Sequence, residues 1–181
     1  MQRSSKAQSG ITVIELMFAL AIAATLFGFA TSSVSAMVNA AHTSSGFSSL
    51  LASLTRARSI AANAGVEVVL CPSNDGSSCA EGFHWENGWI AFQSMHGRSE
   101  RESDDPILLQ QGALPPKVHL ATTAGRTRIR FQSSGGNVGS NVTFTFCDGR
   151  GAKAAQAYAM SNAGNLHGVT ADENNVVNAC M

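Results

Sequence analysis

SGITVIELMFALAIAATLFGFA, residues Ser9 to Ala30, follows a short basic leader and is apolar apart from one acid, Glu15. Between Lys6 and Arg56 no other side chain carries a formal charge. From Ile11 on, the run is long enough to cross a bilayer as a helix, which takes about 20 residues. A cleaved secretory signal also fits part of it: Arg3 and Lys6 form the positive end, Leu16 to Ala30 the apolar region, and Val34-Ser35-Ala36 a small-residue cleavage site before Met37. That reading leaves Glu15 unexplained. A carboxylate within hydrocarbon costs roughly 2.5 to 3.5 kcal/mol, so an acid there points to function.

A cut after Gly10 supplies the missing cation. The new amino group sits on Ile11, and Glu15 lies four residues on, one helical turn away. The positive end of the helix dipole favours a carboxylate in the same turn. Glu15 thus pairs with an amino terminus, in its own chain or in a neighbouring copy packed with an axial offset.

A leader ending in Gly, an apolar residue, Thr-x-Ile-Glu-Leu and an apolar helix together resemble the class III leader of type IV pilins and type II secretion pseudopilins. The resemblance implies cleavage between Gly10 and Ile11 by a prepilin peptidase, N-methylation of Ile11, and a role for Glu15 in assembly. It also implies a single-pass inner-membrane precursor with its head in the periplasm, later carried into an extracellular pilus.

The chain has 181 residues and balances 12 basic against 12 acidic side chains; loss of Arg3 and Lys6 leaves 10 against 12. Nothing in this bulk charge announces a nucleic-acid-binding protein. Seventeen Gly and abundant Ser, Thr and Asn favour a loop-rich β head. Four Cys after an export segment imply an oxidising compartment.

Beyond Ala30, apolar residues recur at helical spacing: Val34, Met37, Val38, Ala41, Phe47, Leu50, Leu51, Leu54, Ala57 and Ala61. The pattern predicts one helix over residues 11–64, roughly 80 Å long, with Gly46 as its weak point and Gly65 as its stop. Residues 11–31 form its transmembrane or filament-core part, and residues 32–64 carry an apolar stripe for a sheet to cover. Residues 65–181 form the head. Short β-branched or aromatic runs predict strands at Val66–Leu70, Gly88–Phe92, Ile107–Gln110, Val118–Ala121, Arg126–Gln132, Val142–Cys147 and Ala157–Met160. Trp89 and Phe92 are core candidates, and Gln93–Asp105 reads as an exposed loop. The expected fold is α+β, a long N-terminal helix packed on an antiparallel sheet.

The CPSNDGSSC loop, the GWIAF strand, the IRFQSSGGNVGSNVTFTFCDGRG stretch and the AQAYAMSNAGN ending are similar to the GspH/FimT family of minor pilins and pseudopilins. The first and third of these favour the type IV pilus members over the secretion pseudopilin. Other major and minor pilins are the implied partners, with incorporation at or near a pilus tip in support of assembly.

Cys71, Cys79, Cys147 and Cys180 allow three pairings, and the sequence does not choose among them. Cys71 with Cys79, around a turn, and Cys147 with Cys180, pinning the tail, is the favoured arrangement. No C-x-x-C or H-x-x-x-H spacing marks a metal site, and no cofactor is expected.

If residues 126–132 form a strand, Arg126, Arg128 and Arg130 share one face, and with Arg150 and Lys153 they make a candidate surface for double-stranded DNA. Against it stands the ordinary alternative of arginines paired with acids such as Asp148. Family members that bind DNA for transformation carry a Gly-Arg-x-Arg element near the C-terminus. The matching Gly164-Asn165-Leu166-His167 lacks both arginines, and Gly125-Arg126-Thr127-Arg128 lies upstream. No nucleophile elbow, Walker loop or dinucleotide fingerprint is present, so the chain reads as no enzyme. Asp104-Asp105 and the His84 with Glu86 pair read as ordinary loop chemistry.

Overall fold

The computed structural model describes residues 11–137, 139 and 141–180, without the side chains of residues 27–33. The chain forms two compact units with the boundary between Met37 and Val38. Helix α1, Val13–Ala64, contributes to both. Thr12 caps it: the Glu15 N–H donates to the Thr12 hydroxyl at 3.4 Å, and the Leu16 N–H to the Thr12 carbonyl at 3.2 Å. Thr-x-x-Glu is the sequence signature of such a cap. At the other end, Gly65 takes φ 66°, and the Val66 N–H returns to the Ala61 carbonyl. The left-handed residue closes the helix, as the sequence predicts.

In the first unit, Ile11, Ile14, Met17, Phe18, Ile22 and Leu26 are all exposed. Among the described residues no helix is long and apolar enough to cross a membrane.

Among the described residues, the second unit holds eight strands in two antiparallel sheets, where the sequence led us to expect one. Strands β1 (Val68–Pro72), β2 (Trp89–Gln93), β3 (Ile107–Gln111) and β5 (Ile129–Phe131) form the first, in the order β3-β2-β1-β5. Strands β4 (His119–Thr122), β6 (Val142–Cys147), β7 (Gln156–Met160) and β8 (Leu166–Val169) form the second, in the order β4-β6-β7-β8. A short helix, α2 (Glu173–Cys180), follows.

Both sheets bury one face in a common core with α1. Leu50, Leu54, Ala57 and Ala61 meet Val68, Leu70, Trp89, Ile129 and Phe131 from the first sheet, and Leu120, Phe144, Phe146 and Met160 from the second. The predicted stripe is only partly covered: Val34, Met37, Val38 and Leu51 stay exposed. Phe47 stacks on Tyr158 with ring centroids 4.1 Å apart and meets Phe146 edge-on, fixing the helix on the second sheet. Gly46 does not interrupt the helix, which continues through it, and a Cβ there would stand in ordinary contact with Leu114 and Phe146.

Parts of the outer faces are buried too. Val69, Cys71, Ile90 and Phe92 cluster behind the first sheet with Cys79. Ala121, Cys147 and Ala179 cluster behind the second, where α2 packs. Double burial explains why β1 reads as an apolar run, whereas β6 alternates Val142, Phe144 and Phe146 with Thr143 and Thr145. One disulfide joins Cys71 to Cys79 and the other Cys147 to Cys180.

Candidate functional site

Two regions carry the residues that the sequence singles out. The first is the start of α1. Gly10 lies outside the described residues, whereas Ile11 and Glu15 are both exposed there. Glu15 stands in the first helical turn, where unpaired backbone N–H groups favour a carboxylate. It is the one acid within a surface of Ile, Val, Leu, Met and Phe side chains. An exposed apolar surface of this extent marks an interaction surface.

The second region is the basic residues of the head, and here the structure corrects the sequence reading. The strand expected over Arg126–Gln132 shrinks to Ile129–Phe131. The Thr122 hydroxyl donates to the Arg126 carbonyl and the Arg126 N–H to the Thr123 carbonyl, which folds Arg126 into the turn after β4. Three arginines therefore do not share a strand face. Arg128 pairs with Glu100 at 2.9 Å and its side chain is only 12% exposed. Arg130 pairs with Glu67 at 3.0 Å and also donates to the Gly97 carbonyl and the Ser99 hydroxyl. The Arg126 guanidinium donates to the Gly139 carbonyl.

Arg150 grips Asp148 through Nε and Nη2, and the Arg150 backbone N–H joins them. The Thr43 hydroxyl of α1 donates to the same carboxylate, so this knot ties the turn after β6 to the helix. The Arg150 hydrogen bonds are the main cause that lowers the Asp148 carboxyl to about 2. Lys153 is exposed on a 3-10 turn, Ala152–Ala154.

Loops of the first sheet are also organised around acids. In the Cys71–Cys79 loop Asp75 accepts from the Ser77 and Ser78 N–H groups and from two Ser hydroxyls, and the Ser78 bonds above all hold its carboxyl well below the usual range. Between β2 and β3, Asp105 is buried and accepts from the Met95 and Glu102 N–H groups at 2.8 and 2.9 Å. The sequence reads this loop as exposed and featureless; its backbone is fixed from within. His96, Glu102 and Asp104 come together on it, with His96 Nε2 3.1 Å from Asp104 and 3.8 Å from Glu102. Asp104 raises the His96 pKa by hydrogen bonding to the ring, and its own is lowered in return. No spacing rule for His or Cys finds this group.

A capped helix with an exposed apolar first part, and a second part buried by antiparallel sheets, defines a pilin-like subunit. The family described as Type II transport protein GspH matches residues 48–164. The chain belongs to the GspH family of minor pilins and pseudopilins. Among solved structures it is similar to the type IV minor pilin FimU of Pseudomonas aeruginosa strain PAO1, at 17% identity over 70% of this chain and 87% of that one, with a TM-score of 0.56. A second crystal form of FimU aligns with a TM-score of 0.54 at the same identity, covering 70% of this chain and 92% of that one. The minor pseudopilin EpsH from the type 2 secretion system of Vibrio cholerae is 13% identical, with a TM-score of 0.46 over 68% of this chain and 92% of that one. No curated protein matches the sequence.

Proposed function

We propose that the chain is a minor pilin of a type IV pilus, cut between Gly10 and Ile11 by prepilin peptidase, methylated at Ile11 and incorporated at or near the pilus tip. Before assembly, residues 11–31 hold it in the inner membrane with residues 65–181 in the periplasm. In the filament, the apolar side chains from Leu16 onward pack between major and minor pilins, and Glu15 meets an amino terminus across the interface. The observation that carries this reading is the exposed apolar start of α1 with one acid in its first turn.

The test is complementation of a host lacking its own copy, followed by immunoblotting of sheared surface pili. The wild-type chain is expected in the sheared fraction. Glu15→Ala is expected to lower its amount by about tenfold or more, the ratio to which about 1.4 kcal/mol of lost pairing corresponds. Assembly of Glu15→Ala at the wild-type level would sink the role of the acid.

The matched family's description favours a second reading, a minor pseudopilin of type II secretion. The helix chemistry is then unchanged. Absence of the wild-type chain from sheared pili, together with a secretion defect on its deletion, would support that reading.

A further inference from the structure

We propose that His96, Glu102 and Asp104 form a binding site for a divalent borderline metal ion of the zinc type. The three side chains bring His96 Nε2 and one oxygen of each carboxylate within 4.8 Å of one another. His96 Nε2 lies 3.1 Å from Asp104 Oδ2 and 3.8 Å from Glu102 Oε2. Ligands around a tetrahedral zinc ion, at bonds of about 2.0 to 2.2 Å, stand about 3.4 Å apart. One nitrogen and two oxygens therefore need only small side-chain shifts to share an ion.

Electrostatics favours an ion over the alternatives. With His96 Nε2 unprotonated, three electron-rich atoms converge and repel. A proton on Nε2 satisfies Asp104 but leaves Glu102 beyond hydrogen-bond range. A divalent cation satisfies all three. The Arg98 guanidinium holds the other oxygen, Glu102 Oε1, and leaves Oε2 for the metal. An imidazole with two carboxylates suits zinc or manganese better than magnesium or calcium, which take oxygen ligands.

The ligands stand on a prepared backbone. Asp105 binds the Met95 and Glu102 N–H groups, and Ser94 binds both the N–H and the carbonyl of Arg98. From outside the loop, Arg130 holds the Gly97 carbonyl and Arg128 holds Glu100. Arg101 reaches from the loop to the Ser77 carbonyl in the Cys71–Cys79 loop. A neighbour of each ligand is thus fixed, Met95 and Gly97 beside His96, Arg101 beside Glu102 and Asp105 beside Asp104, which lowers the entropy lost on binding. The remaining coordination positions face solvent, since all three side chains are partly exposed.

The test is isothermal titration of the full chain in detergent with zinc ion, with hydrogen exchange of the loop as a second readout. One equivalent is expected to bind and to protect amides of residues 94–105. His96→Ala is expected to abolish binding, and Asp104→Asn to weaken it by about tenfold or more. His84→Ala, which removes the exposed imidazole of the separate His84–Glu86 pair, is expected to leave it unchanged. Absence of saturable binding, or unchanged affinity in His96→Ala, would overturn the site. Binding of calcium in place of zinc would overturn the assignment of ion class.

Discussion

Asp148 shows what a single side chain contributes here. Its carboxyl is lowered from 3.8 to about 2, first by the Arg150 hydrogen bonds and then, against the opposing effect of burial, by the Thr43 hydroxyl and the Arg150 N–H. A carboxylate with a depressed pKa contributes stability that is fully present above its unfolded value. That contribution is lost as the pH falls through the folded value, so the window runs from about pH 4 down to about pH 2. Asp148→Asn is therefore expected to cost about 2 kcal/mol near neutral pH and close to nothing near pH 2. Urea unfolding followed by fluorescence of the buried Trp85 and Trp89 measures both. A cost that persisted in acid would place the effect in packing instead of charge. The Asp-Gly-Arg spacing makes the pair readable in the sequence, but Thr43 stands 105 residues away and nothing local points to it. The Thr12 cap is the reverse case, because Thr-x-x-Glu is written in the sequence beside the acid it positions.

At the scale of elements, what the sequence reveals depends on how local the cause is. Helix α1 and its Gly65 stop follow from spacing and a backbone conformation, both local. Strand β6 is predicted to its end residues because Val142, Phe144 and Phe146 alternate with the β-branched Thr143 and Thr145, a local signal of high strand propensity. Strand β8 and helix α2 are invisible in LHGV and ENNVVNAC, which are short and half polar. What holds α2 is tertiary: Ala179 packs beside Ala121 and Cys147, and Cys180 is bridged to Cys147 across a separation of 33 residues. The Cys147→Ser, Cys180→Ser double variant is expected to lose about 2 to 4 kcal/mol. Hydrogen exchange should show the loss as early opening of α2, with β1 and β2 still protected. Equal loss of protection in both sheets would mean that the bridge supports the whole head and not one helix.

For the molecule as a whole, the open question is whether its cations form a field that captures DNA. Formal charge balances at 12 against 12, and three of the five candidates are spent on acids: Arg128 on Glu100, Arg130 on Glu67 and Arg150 on Asp148. Among the described residues, Arg126 and Lys153 have no acid within ion-pair distance. Each phosphate neutralised on duplex DNA contributes about −0.9 to the slope of log affinity against log salt. The two unpaired candidates therefore contribute only about −2 to that slope, the regime of weak non-specific contact. The full chain is expected to show no measurable binding to short duplex DNA at about 0.15 M salt, and at low salt only binding with that shallow slope. Fluorescence anisotropy across a salt series measures it. A slope much steeper than about −2, abolished by replacing Arg126, Arg128 and Arg130 with Ala, would show that DNA breaks the ion pairs and recruits their arginines. The head would then be a DNA-capturing surface in spite of its balanced charge. The sequence raises this possibility through the alternation of Arg with Thr, Ile and Phe. It could not display the partners, because Glu67 and Glu100 reach the arginines only after β5 pairs with β1 and the loop before β3 folds over that edge.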